Sequence, residues 1–135
     1  MRTDELIKDL VDYLSDIEGA TAIAHADFTE ERDEDMIAVS VPSVTQLNQG
    51  CNVPDYEVQM KVILDCRIAE DNDMSGFNKI CDDLTTKLMN LAYKNIPLGN
   101  VFPTSVVAFF FDDAQTNLLE HSNEGVFNCR AIVSE

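Results

Sequence analysis

Apolar and polar positions along the chain fall into two alternating rhythms. Leu6, Ile7, Leu10, Val11, Leu14 and Ile17 recur at three- and four-residue intervals, with Asp9, Asp12 and Asp16 mostly off that stripe. This period predicts an amphipathic helix, capped by Thr3 or Asp4 and ended by Gly19. After Gly19 the period drops to two. Ala20, Ala22, Ala24, Ala26 and Phe28 alternate with Thr21, Ile23, His25 and Asp27, which predicts a strand with one small-residue face and a partly exposed His25. An acidic turn from Thr29 to Asp35 and a short strand from Met36 to Val41, stopped by Pro42, complete an expected β-hairpin with a charged tip. Ser43 to Asp55 reads as a long polar loop of the kind that carries function or contacts.

Tyr56 to Ile68 shows the most sustained alternation. Tyr56, Val58, Met60, Val62, Leu64, Cys66 and Ile68 lie on one face; Glu57, Gln59, Lys61, Asp65 and Arg67 lie on the other, interrupted by Ile63. One face belongs to a core and the other to water or a polar partner, and the strand is long enough to reach out of its own domain. A second helix follows, with Asp73 or Ser75 as cap and Phe77, Ile80, Cys81, Leu84, Leu88, Leu91 and Ala92 as its buried stripe. Acidic residues near its start and Lys87 and Lys94 near its end suit the helix dipole. Ser105 to Phe111 is an uninterrupted apolar run, expected for a strand covered on both faces: central in the sheet, or meeting another subunit. Asp112 to Glu124 reads as a polar loop, and Gly125 to Ser134 as the last strand. Phe127, Cys129, Ala131 and Val133 share one of its faces, and Val126, Asn128, Arg130 and Ile132 the other. These elements predict one α+β domain over residues 1–135 in the order α-β-β-β-α-β-β. Two amphipathic helices pack on one face of a mostly antiparallel four- to five-stranded sheet.

Composition narrows the function. The chain has 135 residues, enough to close a core without metal or disulfide staples. No apolar run approaches the roughly 20 residues of a membrane-spanning helix, and the acidic N-terminus lacks the apolar region of a signal peptide. The expectation is an intracellular protein with no membrane partner. Nine basic residues against 25 acidic ones give a net charge of −16. Tight nucleic-acid binding, which needs a basic footprint, is therefore not expected. High charge of this sign keeps a small domain dispersed, lets it lie near DNA without sticking, or mimics DNA.

Candidate chemistry is sparse. Cys51, Cys66, Cys81 and Cys129 form no Cys-x-x-Cys pair, and His25 and His121 are the two histidines, so no zinc site is indicated. Cys66 and Cys81 read as buried hydrophobes, and Cys51 as the candidate free thiol. No phosphate-binding glycine loop, nucleophile elbow or metalloprotease helix is present. Glu30, Glu31, Asp33, Glu34 and Asp35 have no EF-hand spacing and read as a solvated hairpin tip. The expectation is a protein without catalytic residues, cofactor or metal.

Three segments carry a family resemblance. The helix from Asp4 to Glu18 runs into the alanine-rich strand; YEVQMKVILDCRI feeds FNKICDDLTTKLMNLAY; and VVAFFFDDAQTNLLEHSNEGVFNCRAIVS closes the chain. Together they resemble the tail-terminator and head–tail connector proteins of long-tailed bacteriophages, over nearly the whole length. The Ser43 to Asp55 loop is longer than that pattern. The resemblance implies a structural virion protein forming a ring, usually a hexamer, that caps the tail tube and joins it to the head connector, with DNA passing through an acidic lumen. Its partners would be copies of itself, the tail tube protein and a head-completion protein; its location would be the host cytoplasm during assembly and then the virion neck. Glu57, Gln59, Lys61, Asp65 and Arg67 are the candidate subunit interface, and Glu30, Glu31, Asp33, Glu34 and Asp35 the candidate lumen or rim. A head-completion or neck connector is the alternative within the class, and an acidic DNA-mimic inhibitor the alternative outside it.

Overall fold

The computed structural model describes residues 2–27, 35–47, 54–67, 74–118 and 122–134. They build an α+β fold of two helices and a five-stranded mixed sheet: α1 (Thr3–Leu14), β1 (Thr21–Ala24), β2 (Met36–Leu47), β3 (Asp55–Arg67), α2 (Ser75–Ala92), β4 (Val106–Leu118) and β5 (Ser122–Ser134). The strands lie in the order β1-β2-β3-β5-β4.

The two helical stripes do what their spacing predicts. Leu6, Leu10 and Leu14 of α1 and Phe77, Ile80, Leu84, Leu88 and Leu91 of α2 are buried. They form one core with Val58, Met60, Val62, Leu64 and Cys66 of β3 and Phe127, Cys129, Ala131 and Val133 of β5. Along both strands alternate residues enter this core, so the period of two sets a single buried face. Charge does not cap the helices as expected. Arg2 and Met74 occupy the N-cap positions without side-chain capping bonds, and Asp73 lies outside the described residues. Neither acidic residues in the first turn nor basic residues in the last turn serve α2. Lys87 instead reaches across to α1: its Nζ donates to the Tyr13 carbonyl at 3.1 Å and pairs with Asp16 at 2.6 Å, while Tyr13 Oη donates to the Lys87 carbonyl at 2.8 Å. This reciprocal clasp fixes one helix against the other.

Helix α1 stops at Leu14, earlier than Gly19. Gly19 instead makes the turn into β1 with φ +96°, and a β-carbon there would stand 3.2 Å from Ile80 Cδ1. Gly19→Ala therefore combines backbone strain with a forced shift of Ile80. It is expected to cost about 1–3 kcal/mol, read as a lower denaturation midpoint.

Four expectations about strands are corrected. The first two strands do not form a hairpin: β1 runs parallel to β2, with Thr21 opposite Met36 and Ala24 opposite Val39. The alternation ends at Ala24, a 3-10 turn at His25–Asp27 leads the chain away, and the Thr21 amide donates to the Asp35 carbonyl at 2.9 Å. Alternation specifies a face but not a direction. The expected loop from Ser43 to Asp55 is strand at both its ends, since β2 continues to Leu47 and β3 begins at Asp55, while residues 48–53 lie outside the described residues. Pro42 sits where the β2–β3 register shifts between Ser40 and Ser43, so its missing N–H is absorbed in an irregularity. The expected loop from Asp112 to Glu124 is mostly the arms of a long hairpin, β4 to Leu118 and β5 from Ser122. Finally, β3 does not reach out of the sheet: it pairs with β5 along its whole length, from Asp55↔Ser134 to Arg67↔Ser122. The strand at the margin is β4, the apolar run for which two covered faces were expected.

Candidate functional site

Away from the helices the sheet presents its second face. Glu57, Gln59, Lys61, Ile63 and Asp65 of β3 alternate with the core positions and lie there, half-buried. Their β5 neighbours are Ile132, Arg130, Asn128, Val126 and Glu124 in turn. On β4, Phe110 stands opposite Arg130 and Asp113 opposite Asn128. This surface mixes apolar and charged side chains, as the rim and core of a protein contact do.

Its most ordered part is built around Arg130. A register shift between Phe111 and Asp113 leaves Asp112 as an extra residue on β4. Such irregularities re-aim a side chain, and the Asp112 carboxylate accepts Arg130 Nε at 2.8 Å and Nη2 at 2.9 Å. This is the bidentate geometry that guanidinium and carboxylate favour. Glu57 adds a second carboxylate at 3.9 Å, and the guanidinium carbon lies 4.7 Å from the centre of the Phe110 ring. Hydrogen bonding to Asp112 raises the Arg130 pKa, outweighing partial desolvation. Gln59 joins from β3, donating to Glu57 at 2.9 Å.

The five interface candidates thus share one face without forming one cluster. Glu57 and Gln59 belong with Arg130; Lys61 lies between Ser40 and Asn128. Asp65 and Arg67 stand toward the far end of β3, about 20 and 27 Å from Gln59 at the strand rise. Of the lumen or rim candidates, Glu30, Glu31, Asp33 and Glu34 lie outside the described residues. Asp35 is built into the end of the sheet, where its carboxylate accepts the Arg67 amide at 3.1 Å. Phe110, Asp112 and Arg130 were not among the candidates. One signal pointed to them: Arg130 is the one arginine or lysine after Lys94, so any carboxylate in that stretch seeking a cation must share it.

The described thiols, Cys66, Cys81 and Cys129, are poor nucleophiles. Burial, reinforced by Asp112 and Asp113, pushes Cys129 up to about 12. Burial, then the charge of and a hydrogen bond to Asp35, raises Cys66 as well, and burial raises Cys81. Cys51 and His121 lie outside the described residues, and His25 is exposed in the 3-10 turn. A pKa about three units above the ordinary thiol value lowers the thiolate fraction near pH 8 roughly 10³-fold. Native Cys129 is therefore expected to alkylate about that much more slowly than in denaturant, which mass spectrometry of the labelled peptide would read. The linkage follows in sign. Cys129 binds its proton more tightly when folded, so its contribution to stability is complete below about pH 9 and is lost as pH rises toward 12.

Among the described residues no group of histidine, cysteine or carboxylate side chains could hold a metal ion. No helix among them is long and apolar enough to cross a membrane. Open grooves lie between α2 and β4, lined by Met89, Ala92, Tyr93, Phe111, Asp112 and Asp113, and beside α1, lined by Asp9, Asp12, Tyr13, Asn100 and Val101; each is about 240–270 Å³. No protein-family model matches the chain, and a search of curated proteins finds no significant match.

Proposed function

We propose that this chain is a structural subunit of a long-tailed phage: copies of it form a ring, hexameric as the resemblance implies, that closes the tail tube and receives the head connector. The observation that carries this is the second face of the sheet, where Glu57, Gln59, Phe110, Asp112 and Arg130 form an ordered polar and aromatic cluster. The buried stripes of both helices share one core with the sheet, and the Arg130 end of the other face is left for neighbours, whereas Met36 and Ala38 of β2 on that face are buried within the chain. Two further features support the same role. The net charge of −16 lets DNA pass without adhering, since like charges repel over a Debye length of about 8–10 Å. Burial holds the Cys66 and Cys129 thiols protonated, as suits a framework role.

Light scattering of the purified protein, alone and with isolated tail tubes, tests the ring. A hexamer, or a monomer that becomes one on tubes, supports it; a monomer that adds to no tube sinks it. Electron microscopy of particles assembled without the protein separates the positions. Overlong or uncapped tubes mark a terminator, whereas normal tails that fail to join heads mark a neck connector.

A further inference from the structure

The outer edge of β4 carries a separate message. Among the described residues β5 is its one strand neighbour, so along 13 residues the N–H and C=O groups of alternate positions point away from the sheet. Proteins usually blunt such an edge with lysine, proline or a covering element. Val106 to Leu118 contains neither lysine nor proline. Among the described residues its protection amounts to register shifts at Val107 and Asp112 and two carboxylates. Apolar side chains flank the edge on both sides: Val107 is 51% exposed, Phe110 42% and Leu118 69%. On the helix side, Met89 and Tyr93, 40% and 69% exposed, form with Ala92 and Phe111 the groove of about 240 Å³ that runs against the strand. The Asp112 and Asp113 carboxylates stand at its rim.

Charge decides what fits. Asp112 is matched by Arg130, but Asp113 accepts its hydrogen bond from the uncharged amide of Asn128 at 2.7 Å, so the edge is negative at its middle. A second copy paired antiparallel over the full strand would set Asp112 against its own equivalent and each Asp113 against Phe111, one position from the other copy's Asp112, because Asp112 is the central residue of β4. Like charges directly opposite destabilise a strand pair. A basic strand meets no such penalty.

We propose that the β4 edge is a strand-addition site for an extended segment of another protein, one that alternates apolar and basic residues. Its backbone continues the sheet, an apolar side chain enters the Met89–Tyr93–Phe111 groove, and a lysine or arginine faces Asp113. Main-chain bonds supply affinity in this mode and the groove supplies selection. The site names a partner chemistry for the assembly role and also stands without it, since it rests on the edge and not on the open face.

Two ten-residue peptides test it on the intact chain: one of alternating lysine and valine, and one of equal charge with prolines replacing two central valines. The alternating peptide is expected to bind at least tenfold more tightly by fluorescence anisotropy and to slow amide exchange selectively in Val106–Leu118. Asp113→Lys and, separately, Tyr93→Ala should each weaken binding about tenfold with the melting temperature of the free protein retained. Equal binding of the two peptides would reduce the effect to bulk charge and overturn the proposal. So would β4 amides already protected by self-association, which would make a second copy the occupant. Failure of the ring in light scattering or microscopy leaves these measurements unaffected, and their failure leaves the ring unaffected.

Discussion

Phe127→Ala is expected to lower stability by about 3–5 kcal/mol. Phe127 is 2% exposed and belongs to the core that both helices share with the sheet. Its ring lies 6.3 Å from that of Phe111 on β4, so it ties the strand at the margin to the centre. It also covers Gly125: a β-carbon there would stand 3.1 Å from Phe127 Cε2 and 3.4 Å from Cys81 Sγ. Truncation would leave a void walled by backbone and by rigid neighbours, which cannot easily collapse. The denaturation midpoint should fall with the slope unchanged. A second variant gives the cause. Gly125→Ala alone should cost about 1 kcal/mol by crowding the ring. In the Phe127→Ala background the same methyl group enters the void, and the cost should shrink or reverse. Strict additivity of the two would show that the ring and Gly125 are not coupled in this way.

Arg130→Glu is expected to separate assembly from folding. Arg130 is about one-third exposed, and its pairs with Asp112 and Glu57 are partly screened by water. Their loss, with a third carboxylate added, should cost the isolated chain only on the order of 1 kcal/mol. Once a neighbour covers the open face the same change becomes severe. Three carboxylates would be desolvated together, and removing one partner of a buried charge pair costs about 2–5 kcal/mol. Self-association, or addition to tail tubes, should weaken about a hundredfold while the circular dichroism spectrum and melting curve stay close to those of the parent. Arg130→Lys should recover part of it, because lysine keeps the charge but loses the bidentate geometry. Unimpaired assembly of Arg130→Glu would place the contact elsewhere. Full loss of fold would mean that the cluster is a structural support and not an interface.

The candidate site was partly legible. The polar face of β3 was readable because Glu57, Gln59, Lys61 and Asp65 alternate with Val58, Met60, Val62 and Leu64, and a pleated chain puts alternate residues on opposite sides. What β3 could not reveal is which strands lie beside it. Arg130 is 73 positions beyond Glu57 in the chain, and its meeting with Glu57 and Asp112 depends on the β3–β5 register and on one extra residue in β4. Asp112-Asp113, which opens the stretch that reads as a polar loop, lies inside a strand. Its register shift is enforced by pairing across the sheet, and nothing local announces it.

By itself the sequence determined the two buried helix stripes, the α+β class and the faces of β3 and β5. Each of these follows from a period of side-chain placement that covalent geometry imposes on neighbouring residues. Only the tertiary structure decided that β1 runs parallel to β2, that β2 and β4 extend through stretches that look like loops, and that Val106 to Phe111 lies at the sheet's margin. Direction, length of pairing and position in a sheet belong to contacts between residues far apart in the chain. A run of apolar residues has the same pattern whether its outer side meets a strand of its own chain or waits for one from another.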